Sequence, residues 1–263
     1  TLLAYIEEFG LERAVQKING MFSFALWDKK KQELSLVRDR IGEKPLYYGW
    51  QKDTFLFGSD LAALKVHANF ISEIDRDSLS SYLRYNYVPT PASIFKNIYK
   101  LTPGTILKLK VGTTEFVPGV TPDPLQYWCL EDVILKGLSE PFNGGDKDAI
   151  ALLNKTLMDA VKKQMISDVP FGAFLSGGLD SSIIVSEMSK LNKNKIRTYN
   201  IGFKEDKFNE FIYATEVSNL FKTNHTQILM DENEYFSSMP EIIKYKDGPL
   251  SVPNEIAIHR LSK

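Results

Sequence analysis

Apolar residues at Leu2, Leu3, Ile6 and Phe9 recur at helical spacing, so TLLAYIEEFG predicts a helix with one apolar face. From Met21 the period changes to two. MFSFALWDKKKQELSLVRD alternates around a polar turn at Lys29 to Gln32, and PLYYGW, QKDT and FLFGSD continue the scheme. This pattern predicts the antiparallel strands of a meander. LAALKVHA and RDSLSSYLRY read as short helices, and VPTPASIFKNIYKLTPGTILKLK adds strand and turn.

Residues 112–145 are rich in Pro and Gly and carry no sustained period, which marks them as a linker between a domain at 1–111 and one at 146–263. Trp128 is expected to anchor that linker. Beyond it, Ile150, Leu153, Leu157 and Val161 form one helical stripe, with Asp146 as the expected cap. Strand and helix then alternate: VPFGAFL, SSIIVSEMSKL, RTYNIGF, NEFIYATEVSNLF, HTQILM, NEYFSSMPEIIKY. Such alternation predicts parallel strands with right-handed crossovers, whose ligands sit beyond the strands' carboxyl ends.

Composition narrows the class. The chain has 263 residues, of which 43% are hydrophobic, enough for two cores. Its 32 basic and 33 acidic residues nearly cancel, which argues against a nucleic-acid partner. The single cysteine, Cys129, excludes an internal disulfide and any multi-thiolate metal site and fits a reducing cytoplasm. No apolar run approaches the roughly 20 residues of a membrane span.

The chemistry concentrates in AFLSGGLDSSI, Ala173 to Ile183. Gly177 and Gly178 let backbone N–H groups approach an oxyanion, and a helix beginning near Ser181 aims its positive end at the same point. Ser176, Ser181 and Ser182 add hydroxyl donors, so phosphate is the expected guest. The loop has neither the lysine of a Walker A sequence nor the spacing of GxGxxG. Charge neutralisation must therefore come from elsewhere. A carboxylate beside phosphates is tolerated when a divalent cation lies between, which gives Asp180 a role as a Mg²⁺ ligand. The alternative is a turn in which Asp180 or Ser181 merely caps a helix.

SGGLDSS resembles the pyrophosphate loop of N-type ATP pyrophosphatases. SDVPFGAFL and TYNIGF look like the synthetase domain of glutamine-hydrolysing asparagine synthetases. Upstream, INGMFSFALWDKKKQELSLVRDRIGEKPLYYGW resembles the second half of their glutaminase domain, and VPTPASIFKNIYKLTPG resembles the segment leading out of it. The resemblance implies an internal fragment: an α+β antiparallel-sheet N-terminal domain, a partial Ntn-hydrolase-like type-2 glutamine amidotransferase, followed by an α/β parallel-sheet domain of the adenine nucleotide α hydrolase-like, HUP type.

It also implies ATP cleaved to AMP and pyrophosphate, adenylation of aspartate or a similar carboxylate, and amide formation with ammonia from glutamine. Ser176, Gly177, Gly178, Leu179, Asp180, Ser181 and Ser182 would hold pyrophosphate, with Asp180 on magnesium. Phe174, Leu175 and Ile201 would face the adenine, although Ile201 reads equally well as core. The family's N-terminal catalytic cysteine would lie upstream of Thr1, so no glutaminase nucleophile is expected in these residues. Cys129 has no base nearby in sequence and reads as a part-buried structural thiol. A homodimer is compatible with the family. Relatives accepting another carboxylate, as in β-lactam or polysaccharide amide formation, and a non-catalytic scaffold are the alternatives.

Three further features remain. Where relatives carry Asp-Glu-Pro, this chain has Asp247-Gly248-Pro249, so Asp247 either faces the site or begins a turn. His67, His225 and His259 are scattered without ligand spacing. In RDRIGEKP, Arg38, Arg40 and Lys44 alternate with Asp39 and Glu43, which predicts a solvated or self-paired turn.

Overall fold

The polar run at Lys29–Gln32 turns the chain between β1 (Ser23–Asp28) and β2 (Glu33–Arg38), which pair antiparallel from Ser23↔Arg38 to Asp28↔Glu33. A computed structural model describes residues 1–113, 116–204, 209–246 and 248–263. They divide into two compact units, one of residues 1–140 with 245–251, the other of residues 141–244 with 252–263.

The first unit opens with α1 (Leu2–Phe9) and α2 (Leu11–Lys17), separated by Gly10 at φ 78°. The apolar face of α1 is present but buries no residue, whereas α2 buries Ala14 and Val15. A second hairpin joins β3 (Tyr47–Gln51) to β4 (Thr54–Gly58). Two short helices follow, α3 (Leu61–Lys65) and α4 (Arg76–Tyr85). Asp60 caps the first by accepting from the Ala62 N–H at 2.6 Å, and Asp75 caps the second by accepting from Ser78 at 2.7 Å. The unit continues with β5 (Ile98–Lys100), β6 (Thr105–Lys110), β7 (Leu125–Gln126) and α5 (Leu130–Ser139).

The strands do not form a single meander. They make two antiparallel sheets, in the orders β1-β2-β6-β7 and β4-β3-β5. The physical reason is the turn after β2, which carries the chain from one sheet to the other before β3 can pair with β2. In the turn itself Glu43 and Lys44 are exposed, in keeping with the solvated or self-paired reading, but Arg38 and Asp39 at its start are buried. Arg38 is buried and donates to the carbonyls of Leu101 at 2.7 Å, Gly42 at 2.8 Å and Lys44 at 2.9 Å. Asp39 is buried beside it and accepts from the N–H groups of Gly42, Glu43 and Lys44 at 2.7, 2.9 and 3.0 Å. Residues 112–145, read as a linker, contain β7 and α5. Trp128 is half-buried there, its N–H donating to Gly104 at 3.2 Å.

In the second unit α6 (Asp146–Gln164) starts at Asp146, the expected cap, so that the capping position falls one residue earlier. Gly145 is the capping residue, and its N–H donates to Asp148 at 3.3 Å. Of the expected stripe, Val161 is buried while Ile150 and Leu153 are exposed. The alternation then runs β8 (Gly172–Phe174), α7 (Leu179–Leu191), β9 (Arg197–Phe203), α8 (Phe211–Phe221), β10 (Asn224–Met230) and α9 (Glu232–Tyr245), with α10 (Asn254–Leu261) after it. The three strands are parallel in the order β10-β9-β8. Leu175, Val185 and Ala214 form the core where the chain leaving β8 meets α7 and α8, and Val161, Met188 and Ile196 form a second cluster under α6. An antiparallel-sheet unit therefore precedes a parallel-sheet one. No helix among the described residues is long and apolar enough to cross a membrane.

Candidate functional site

Leu175 ends the run from β8. Its N–H donates to the Tyr199 carbonyl at 2.8 Å, so the chain leaves the sheet beside the middle strand β9. The next residues must reverse direction into α7 within three positions. Gly177 does this at φ 82°, and a Cβ there would lie 2.4 Å from the Tyr213 carbonyl carbon and 2.6 Å from the Ala214 nitrogen. Only glycine fits, because the loop is pressed against the first turn of α8. Gly178 has ordinary angles, and its nearest obstacle is the Ser176 hydroxyl at 3.3 Å.

The helix begins at Leu179, two residues earlier than expected, and this changes what the serines do. Ser182 Oγ donates to the Gly178 carbonyl at 2.7 Å, Ser181 Oγ to the same carbonyl at 3.2 Å, and Ser176 Oγ lies 2.9 Å from Ser181 Oγ. The Gly178 N–H donates to Ser176 Oγ at 3.2 Å. These hydroxyls brace the loop and are not free donors. The N–H groups of Leu179, Asp180 and Ser181, in the first turn of a 13-residue helix, have no partner within the helix. With the positive end of the helix dipole, they form the anion-directed face of the loop.

Asp180 stands in that first turn, exposed, with no hydrogen bond or ion pair to a described residue. Among the described residues no three His, Cys, Asp or Glu side chains gather into a metal-holding cluster. A magnesium ion here would draw one carboxylate from this chain and its other oxygens from phosphates and water, the coordination Mg²⁺ commonly takes. The donor set fits Mg²⁺ bound with a polyphosphate.

Beside the loop, beyond the carboxyl ends of β8 and β9, lies a cavity of about 840 Å³, inside the roughly 300–1,000 Å³ range of small-molecule sites. Phe174, Leu175, Ser176 and Ile201 line it together, although Phe174 is half-exposed at its edge. Gly177 through Ser182 do not line it; they form the adjoining anion-directed loop. Two parts of the wall carried no sequence motif. One is α10, which contributes Asn254, Ala257, Ile258 and Leu261 and follows the expected strand–helix alternation. The other is the polar pair Glu210 and Glu232; Asn200, which also lines the cavity, lies within TYNIGF but was not among the expected site residues.

The remaining candidates fall elsewhere. Asp247 lies outside the described residues. Cys129 is half-buried ahead of α5, and its thiol has no hydrogen-bond partner among the described residues. His67 accepts from the Asn69 N–H at 3.2 Å, and His259 lies 3.8 Å from a Glu241 oxygen. His225 sits 2.9 Å from Thr198 Oγ1, in a chain of hydroxyls that continues through Thr223 to Ser218. Burial pushes its imidazole below the ordinary 6.5. Arg40 donates to the Gln16 carbonyl at 2.7 Å, a structural contact.

Comparison with known proteins divides the chain as its sheets do. Residues 1–121 match the model of the glutamine amidotransferase domain, and residues 152–263 match that of asparagine synthase. A Bacillus subtilis protein named asparagine synthetase [glutamine-hydrolyzing] 1 is 30% identical over 253 residues, covering 96% of this chain and 37% of the relative. Another from the same organism, asparagine synthetase [glutamine-hydrolyzing] 3, is 31% identical, covering 94% of this chain and 40% of the relative. The chain thus spans about two fifths of the length of these curated relatives.

Proposed function

We propose, on the premise that this chain belongs to the family of glutamine-hydrolysing asparagine synthetases, that its second unit binds Mg²⁺ and ATP for the synthetase half of an amidotransferase reaction. The single observation that carries the reading is the pairing of two features at one end of the parallel sheet. An apolar-walled cavity adjoins a glycine loop that presents unpartnered helix N–H groups and one bare carboxylate.

In this reading the apolar wall of Phe174, Leu175 and Ile201 receives the adenine. The N–H groups from Leu179 to Ser181 hold the pyrophosphate portion. The Ser176–Ser181–Gly178 bonds keep the loop in shape before the ligand arrives, which avoids an ordering cost on binding. Asp180 holds the metal that offsets its repulsion from the phosphates. When bound, ATP supplies the phosphoryl centre at which a carboxylate, aspartate foremost, is activated with loss of pyrophosphate before ammonia forms the amide. The residues of this chain bind, orient and neutralise charge. The first unit, with its two antiparallel sheets, is assigned to a glutaminase of the Ntn-hydrolase-like type and the second to the HUP type. Cys129, without a neighbouring base, is assigned no nucleophilic role.

Titration calorimetry of this chain with ATP tests the reading. Saturable binding is expected in the presence of Mg²⁺ and weaker binding with EDTA. Absence of binding under both conditions removes the reading.

A further inference from the structure

A cavity for the base and a loop for the phosphates leave the joint between them unassigned. Two carboxylates line the cavity, Glu210 and Glu232, and each is exposed, with no side-chain hydrogen bond or ion pair to a described residue. Their places in the fold differ. Glu232 opens α9 after β10, which stands two strands away from β8 in the order β10-β9-β8. Glu210 precedes α8, the helix that follows β9, and β9 pairs directly with β8.

The backbone holds Glu210 at the phosphate end of the cavity. Its carbonyl accepts from the Ala214 N–H at 3.1 Å, which begins the first turn of α8. That turn is the one pressed on the loop, where a Cβ on Gly177 would lie 2.6 Å from the Ala214 nitrogen. On the other side Asn209 fixes the chain: its Oδ1 accepts from the Phe211 N–H at 3.0 Å, and its Nδ2 donates at 3.2 Å to the carbonyl of Phe203, the last residue of β9. The main chain at Glu210 is therefore fixed one helical turn from the phosphate loop, while its carboxylate is left open to the cavity.

A nucleotide with its base on Phe174, Leu175 and Ile201 and its phosphates at the first turn of α7 has its ribose between the two. Ribose offers two neighbouring hydroxyl donors, and an ionised carboxylate is a pure acceptor with two oxygens to receive them. Dinucleotide sites use the same match, an acidic side chain on a ribose hydroxyl. Phosphate offers a carboxylate no such match and repels it. We propose that Glu210 is the ribose-reading residue of this site, its carboxylate accepting from the 2′- and 3′-hydroxyls and so distinguishing ATP from 2′-deoxyATP. The inference rests on the nucleotide reading of the same site and deepens it, by assigning sugar selectivity to a side chain that no motif marks.

The test measures affinities of this chain and its Glu210→Ala and Glu232→Ala variants for ATP, 2′-deoxyATP and inorganic pyrophosphate, all with Mg²⁺. The two nucleotides carry the same phosphates, so their affinity ratio is free of any general change in charge at the site. The parent is expected to prefer ATP by about tenfold, the scale of a hydrogen bond to a charged group, and Glu210→Ala to bring the ratio within about twofold of one. Glu232→Ala is expected to shift the ratio by less than about twofold, and pyrophosphate affinity is expected not to fall in either variant. A parent that binds both nucleotides equally overturns the assignment. So does a ratio that collapses in Glu232→Ala and survives in Glu210→Ala, or a loss of pyrophosphate affinity in Glu210→Ala, which would put the carboxylate on the metal. If Glu210→Ala does not fold, Glu210→Gln gives the same readout with the side-chain size kept and one acceptor removed. A parent chain that binds no nucleotide removes the nucleotide reading and this one together, an outcome distinct from nucleotide binding that ignores residue 210.

Discussion

Two tight turns of this molecule use the same parts to opposite ends. The turn after β2 has a glycine at positive φ, Gly42 at 74°, and an aspartate, Asp39; the turn after β8 has Gly177 at 82° and Asp180. In the first, the carboxylate is consumed by its own chain. Burial pushes the Asp39 carboxyl up, but the N–H groups of Lys44, Glu43, Gly42 and Phe22 outweigh it and hold the group below its ordinary 3.8. The Arg38 guanidinium, pushed down by burial, is likewise enclosed by carbonyls. Tyr127 closes the turn by donating to the Arg38 carbonyl at 2.7 Å, and burial raises its phenol to about 12. In the second turn the N–H groups at the start of α7 and the Asp180 carboxylate meet no partner among the described residues. The difference is one of hydrogen-bond satisfaction: the first turn uses up its polar groups in holding the chain together, and the second leaves them available, as the proposed nucleotide site requires.

The comparison can be broken most forcefully at the glycines. Gly177→Ala forces a Cβ to within 2.4 Å of the Tyr213 backbone and a strained φ, and is expected to cost at least about 1–3 kcal/mol and to abolish nucleotide binding. Gly178→Ala meets only a serine hydroxyl at 3.3 Å and is expected to stay within about 0.5 kcal/mol of the parent. Thermal melts that rank the two variants equally would contradict the packing argument.

The aspartates give the next largest effect, with opposite readouts. Asp39→Asn is expected to destabilise by about 1.5–3 kcal/mol, measured by urea unfolding, because it removes a charged acceptor from several buried N–H groups. Asp180→Asn is expected to cost no more than about 1 kcal/mol, since only a favourable helix-dipole contact is lost. Its MgATP affinity, read by calorimetry, is expected to fall about tenfold while EDTA-condition binding is unaffected. A stability loss at Asp180 matching that at Asp39 would erase the distinction between the turns.

Acid offers a smaller probe of the same contrast. Asp39 has a folded value below its unfolded one, so its contribution is fully present above about 3.8 and is lost as the pH falls through the lower folded value. The parent is expected to lose stability in that window, and Asp39→Asn to lose less. The smallest effect belongs to His225, whose folded value lies below 6.5. Between the two values the unfolded chain binds more protons, so stability is complete above 6.5 and declines as the pH falls below it. His225→Asn is expected to flatten that slope; a slope unchanged in the variant would assign the effect to another group.

Legibility followed sequence range. The hairpin at Lys29–Gln32, the strand–helix alternation after residue 165 and the SGGLDSS loop were readable because turn chemistry and side-chain period are local properties. The pairing of β2 with β6 was not, since the partner of a strand is chosen by what lies 70 residues away and by a turn whose Arg38 and Asp39 look like surface charge in sequence. The bonds that the serines make within the loop were not legible for a related reason. Hydroxyls in a first helical turn have a local backbone acceptor, and Gly178 supplies it for both Ser181 and Ser182.

What the sequence alone determined was the order of chemistries: antiparallel strands first, a parallel sheet second, and at the head of one helix a loop of two glycines, an aspartate and serines. Tertiary structure alone decided which of these groups stay open. It set Gly177 against α8, turned the serine hydroxyls inward, enclosed Asp39 and left Asp180 bare, and brought α10 over the ends of β8 and β9 to complete a cavity. The physical reason is that a residue's type fixes what it is able to bind, while burial and hydrogen-bond satisfaction, which depend on segments distant in sequence, fix whether it still has anything left to bind with.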